Sequence, residues 1–178
     1  QRASDLEHTI RREALAYYFL EIKNHVNQKK WNESNRSLSQ AQAYLLTQED
    51  RKQWSTWKDQ IFGELYKQQY ALAEQAFRKR NWDGAEEAMD YAAGYASSSE
   101  EKIGLGELRE KVKQSMFEAE LKDLDVLAEK AEWSKLFESL KALDKVEGNT
   151  KRLRRLSDLN DDYQERVINS SKIEMQRL

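Results

Sequence analysis

The sequence predicts an all-α protein, an α-solenoid-like array of about seven long and short antiparallel helices in alternation. Three observations carry this prediction. The 178 residues contain no proline and only six glycines, tryptophans recur at a 51-residue spacing, and apolar residues keep the same register along helical faces. Turns draw heavily on proline and glycine, and average usage would supply about nine prolines in a chain of this length. A β-sandwich or an α/β fold needs many turns and is excluded on that ground. Long helices joined by very short corners remain.

The repeat is set by Trp31, Trp82 and Trp133, each followed by a residue suited to an N-cap: Asn32, Asp83 and Ser134. Such side chains accept hydrogen bonds from the free amides of a helix's first turn. Helices of about 14 residues then run to a second set of capping residues, Thr47, Ser98 and Asn149, again 51 apart. Within these short helices Leu38, Met89 and Leu140 correspond, as do Ala41, Ala92 and Leu143. In the long helix that follows, the matched sets are Trp54/Leu105/Leu156, Trp57/Leu108/Leu159, Ile61/Val112/Tyr163 and Leu65/Met116/Val167. Steps of three and four residues place these sets on one helical face.

The expected elements are a long helix over 3–30, short 32–46, long 48–80, short 83–96, long 99–131, short 134–147 and long from 150 to the end. They form one repeat domain over 1–178, with units of about 1–47, 48–98 and 99–149 and a C-terminal helix over 150–178. A helix of about 31 residues rises roughly 46 Å and one of about 14 roughly 21 Å. Neither kind buries its apolar stripe alone, so stacking of successive units supplies the core.

Charge sets the partner classes. Thirty basic and 32 acidic residues nearly cancel, so net charge gives no case for nucleic acid or for a membrane surface. Five Trp, eight Tyr and five Phe exceed what a disordered chain carries. The absence of cysteine excludes disulfide and thiol chemistry. It fits reducing and oxidising compartments alike, leaving the cytoplasm as the default and the periplasm or extracellular space open. No apolar run approaches the roughly 20 residues of a membrane span. A chain beginning at Gln1 reads as a processed or excised segment.

From Ala73 to Ala92 the sequence resembles the tetratricopeptide repeat. Ala73 and Ala76 precede Trp82, and Ala85, Met89 and Ala92 follow. The same slots hold Ile22, His25, Trp31, Ser34, Leu38 and Ala41 in the first unit, and Leu124, Leu127, Trp133, Leu136, Leu140 and Leu143 in the third. The likeness spans about twenty residues per unit. The family's period is about 34 residues; here seventeen more lengthen the first helix of each unit, and the family's proline after the second helix is absent. The resemblance implies a right-handed superhelical scaffold whose long-helix faces line a groove for a protein or peptide. The groove positions it implies are Phe19, Lys23, Val26 and Asn27, then Tyr70, Glu74, Phe77 and Arg78, then Leu121, Asp125 and Glu129. The competing reading is a closed groove in which Phe19, Tyr70 and Phe77 are core.

For catalysis, cofactors and metals the inventory is poor, and none is expected. His8 and His25 are the two histidines, and His25 fills a slot held by Ala76 and Leu127 elsewhere, which makes it a packing residue. Gly104-Leu105-Gly106 lacks the strand that a phosphate loop needs. Glu86/Glu87 and Asp161/Asp162 are adjacent, so on a helix each pair diverges by roughly 100°. The run Lys151, Arg152, Arg154, Arg155 places cations in a helix's first turn, where the macrodipole disfavours them. Its candidate partners are intramolecular acids (Asp158, Asp161, Asp162 or the acidic helix near 83–101), then an acidic patch on another protein, and last nucleic acid.

The expected function is a non-enzymatic protein–protein interaction scaffold or adaptor segment of a larger protein or complex. The alternative is a self-associating helical rod or bundle. In the last helix Ile168, Ile173 and Met175 have no following short helix to cover them. This suggests a longer array, or docking of that face on a partner or on a second copy of the chain.

Overall fold

The structure, a computed structural model, describes residues 2–175. It is 89% helical. The described residues form seven α-helices and no strand: α1 (Arg2–Asn27), α2 (Trp31–Ala41), α3 (Gln48–Arg78), α4 (Trp82–Tyr95), α5 (Ser99–Glu129), α6 (Trp133–Val146) and α7 (Thr150–Met175). A 3₁₀ turn, Gln42–Tyr44, extends α2. Long and short helices alternate as the sequence predicts, and the boundaries differ in an instructive way.

The helices α1, α3 and α5 end two or three residues before their expected limits, and each short helix starts on its tryptophan. Asn32, Asp83 and Ser134 therefore lie inside first turns, and the expectation that they are N-caps is corrected. The cap positions are Lys30, Asn81 and Glu132, and of these Asn81 accepts from an amide, that of Gly84. The reason lies in how the long helices stop. Lys29, Arg80 and Ala131, 51 residues apart, all have positive φ, at 56°, 55° and 55°. In each case two amides reach back across the last turn: Lys29 to Val26 and Lys30 to His25, Arg80 to Phe77 and Asn81 to Ala76, Ala131 to Ala128 and Glu132 to Leu127. This is the Schellman arrangement, which satisfies the final carbonyls of a helix and reverses the chain at once.

The second kind of joint behaves as expected. Thr47 accepts from the Asp50 amide, and Asp50 accepts from the Thr47 amide, completing a capping box. Ser98 and Glu101 repeat it, with the Ser97 and Ser98 amides on the Glu101 carboxylate at 2.8 and 3.0 Å. These backbone donors hold the Glu101 pKa below its ordinary value. Asn149 accepts from the Lys151 and Arg152 amides.

By internal contacts the chain divides into two compact units, 1–113 and 114–178, with the boundary inside α5. The sequence reading draws its unit boundaries at the capping residues instead. In the first unit, Leu15, Ile22 and Val26 of α1, Leu38 and Ala41 of α2, and Ile61 and Leu65 of α3 form one cluster. Trp31, Trp54 and Trp57 pack at its margin. The Trp54 indole donates to the Leu38 carbonyl at 2.8 Å, fastening the start of α3 to α2. Ser34 occupies the slot that Ala85 and Leu136 fill elsewhere; its buried hydroxyl is satisfied by donating to the Lys30 carbonyl at 2.7 Å. Buried Ala85, Ala88 and Ala92 of α4 and Ala73 of α3 are small side chains that let helix backbones approach closely. The Tyr66 hydroxyl donates to the Glu101 carbonyl at 2.9 Å. Gly104 lies beside it: a β-carbon there would stand 3.9 Å from the Tyr66 oxygen. The Gly104–Gly106 segment is thus helical, within α5.

In the second unit, Phe117, Leu121 and Leu124 of α5 meet Leu136 and Leu140 of α6 and Leu156 and Tyr163 of α7. The Tyr163 hydroxyl donates to Asp125 at 2.8 Å. Burial and this bond push the Tyr163 pKa up to about 12. Ile168 of α7 is exposed, while the side chains of Ile173 and Met175 lie outside the described residues.

Candidate interaction surfaces

Of the groove positions that the resemblance implies, the aromatics are half-buried and the polar residues of the first unit mostly exposed. Phe19 packs against the α1–α3 cluster. Tyr70 lies 5.7 Å from the Tyr66 ring, and burial followed by the Glu74 and Glu107 carboxylates raises its pKa. Phe77 sits 6.0 Å from Trp82. Lys23, Asn27 and Arg78 are exposed, and Arg78 lies 3.8 Å from Glu74. Val26 and Leu121 are core. Asp125 is engaged by Tyr163.

The basic run is not one surface patch, and that reading of Arg152 is corrected. Its side chain is only 8% exposed and forms an ion pair with Glu147 at 2.8 Å. Its guanidinium lies over the Phe117 ring, and it reaches Gln114. Arg155 pairs with Glu118 at 2.7 Å. Glu147 and Glu118 thus pair with Arg152 and Arg155, where the sequence favours Asp158, Asp161, Asp162 or the helix near 83–101. Asp162 instead pairs with Arg166 within α7. Lys151 and Arg154 remain exposed.

The concave surfaces lie elsewhere, between the second half of a long helix and the short helix after it. In the first unit a crevice of about 370 Å³ between α3 and α4 is lined by residues including Gln69, Leu72, Ala76, Ala88 and Tyr91. In the second unit a crevice of about 400 Å³ between α5 and α6 includes Glu120, Asp123, Leu127, Ser139 and Ala142. These two sets are the same five repeat positions, 51 residues apart. The chemistry differs. Leu72 and Tyr91 are 50% and 58% exposed and stand in the first crevice among polar and charged side chains that include Gln69, Gln75, Lys79 and Glu87. The second carries two carboxylates on an apolar floor of Leu124, Leu127 and Leu143. Burial, then Asp123 and Glu147, pushes the Glu120 pKa up.

Leu72, Tyr91, Glu120 and Asp123 were not singled out by sequence reasoning. A signal existed: the position of Leu72 holds Glu21 and Asp123 in the other units, so a large apolar residue stands where the repeat is otherwise acidic.

Among the described residues no group of three or more His, Cys, Asp or Glu is placed to hold a metal. Likewise no described helix is long and apolar enough to cross a membrane. Comparison with protein-family profiles, with curated proteins and with solved structures finds no match.

Proposed function

We propose that this chain is a non-enzymatic protein-interaction scaffold, a tetratricopeptide-like adaptor segment whose contacts are made in the crevices between long and short helices. The observation that carries the reading is the contrast between framework and crevice. Corners, caps and core repeat every 51 residues, while the crevice positions change from Leu72 and Tyr91 to Asp123 and Ala142. Exposed apolar groups on such a surface mark interaction sites, and the second crevice suits a segment joining apolar and basic side chains.

Peptide display selection on the whole chain tests this. Binders should fall into two classes: apolar–aromatic peptides lost on Leu72→Ser/Tyr91→Ser, and basic–apolar peptides lost on Glu120→Lys/Asp123→Lys. All four residues are exposed, so melting should stay within a few degrees of the parent. Binders indifferent to both double variants would refute the proposal.

A further inference from the structure

The first half of α1 exposes Leu6 and Ile10, at 62% and 55%. The repeat makes this anomalous. The position of Ile10 is held by Ile61, Val112 and Tyr163 in the other long helices, and all three are buried. The position of Leu6 is held by Trp57, Leu108 and Leu159, each buried or half-buried.

What covers those equivalents is visible in the chain itself. Ile61 lies in one cluster with Leu38 and Ala41 of α2, and Tyr163 in one with Leu136 and Leu140 of α6. In both cases the short helix before the long one supplies part of the cover, in one cluster with residues of the preceding long helix, α1 for Ile61 and α5 for Tyr163. We propose that the first half of α1 is a docking surface for one further short amphipathic helix of the same kind. The occupant has an aromatic residue at its first position and small or apolar residues three, seven and ten positions later. That is the pattern of Trp31-Ser34-Leu38-Ala41, Trp82-Ala85-Met89-Ala92 and Trp133-Leu136-Leu140-Leu143.

A second copy of this chain is a poor occupant. The corresponding faces of α2, α4 and α6 are already spent on their own cores, with Leu38, Met89 and Leu136 at 2%, 0% and 0% exposure. This inference rests on the repeat and the burial pattern, not on the crevices, so either can fail alone.

The test grafts a known covering helix onto the whole chain. Residues 31–51 placed directly before Gln1 restore the 51-residue register to α1. The grafted chain should melt about 5 °C higher than the parent, and Leu6→Ser/Ile10→Ser should abolish that rise while leaving the ungrafted chain unchanged. Amides of α1 from residue 5 to residue 14 should gain protection from hydrogen exchange in the graft alone. An unchanged melting point, or a rise that survives Leu6→Ser/Ile10→Ser, overturns the proposal. Sedimentation of the ungrafted chain adds a further check: self-association lost on Leu6→Ser/Ile10→Ser would make the occupant a second copy and overturn it equally.

Discussion

Ala131→Gly should stabilise the protein, although it places glycine in a chain of helices. Ala131 has φ of 55° and is exposed, so the substitution deletes one solvent-facing methyl and no packing. An L-residue in the left-handed region costs about 1–2 kcal/mol from the clash of its β-carbon with the following carbonyl. Glycine is free of that clash, but its unfolded chain is more flexible by about 0.5–1 kcal/mol. The net expectation is a gain of about 0.5–1 kcal/mol. Lys29→Gly and Arg80→Gly should give similar gains, and Arg80→Ala little, because alanine keeps the β-carbon. Sites so far apart should add, and the three together should raise stability by about 1.5–3 kcal/mol. Urea unfolding followed by circular dichroism at 222 nm reads this directly. Glu87→Gly, at an exposed position inside α4, is the control and should cost about 1 kcal/mol. If Ala131→Gly destabilises by as much as that control, the left-handed corner is wrong, and with it the account of how the long helices end.

Four further outcomes follow from contacts described above. Gly63→Ala and Gly106→Ala should each stabilise by about 0.8–1 kcal/mol, because a β-carbon at either meets nothing within 4 Å; a loss at either would show crowding there. Arg152→Ala should cost about 1.5–3 kcal/mol by removing the cation beside the partly buried Glu147 carboxylate, which keeps the Asn149 amide, whereas Lys151→Ala and Arg154→Ala should stay within about 0.5 kcal/mol of the parent; equal effects from all three would contradict the burial of Arg152. The folded Glu101 pKa lies below its unfolded value, so its capping box contributes stability at neutral pH that is lost as pH falls through the folded pKa. The stability difference between parent and Glu101→Gln should therefore shrink from pH 7 to below about pH 4, and a constant difference would exclude the linkage. Tyr163 has the opposite sign: its pKa rises from about 10 unfolded to about 12 folded, so stability falls as pH climbs through that interval, and Tyr163→Phe should remove this alkaline component.

Much of this fold is legible in the sequence because the repeat tests each assignment three times. Trp31, Trp82 and Trp133 mark the corners, and Thr47, Ser98 and Asn149 cap the long helices they were expected to precede. The corners' backbone was not legible. Glycine is the usual sign of a left-handed helix end, and Lys29, Arg80 and Ala131 carry no such mark, so Asn32, Asp83 and Ser134 drew the caps two residues too late. Ion-pair partners were misread for a related reason. Asp158, Asp161 and Asp162 share a helix with the basic run and were favoured for that, whereas helix packing brings Glu118 of α5 to Arg155, and Glu147, only five residues before Arg152 at the end of α6, was overlooked. The crevices were missed because the repeat was read for what stays constant, and the informative residues there are those that break it.

The Schellman corners have a consequence for how such a chain can change in length. At each of them one residue serves two helices: the Lys30, Asn81 and Glu132 amides close the helix behind, and their carbonyls accept from Ser34, Ala85 and Leu136 of the helix ahead. No residue between the two helices is free to absorb an insertion, and an added one must break a hydrogen bond on one side or the other. The second kind of joint has slack, since Leu45, Ala96 and Glu147 are extended residues that precede the caps. One added alanine after Arg80 should therefore be felt as misfolding, and one after Ala96 as a longer loop. Length variation in such an array is confined to one joint per unit, and growth proceeds by whole units.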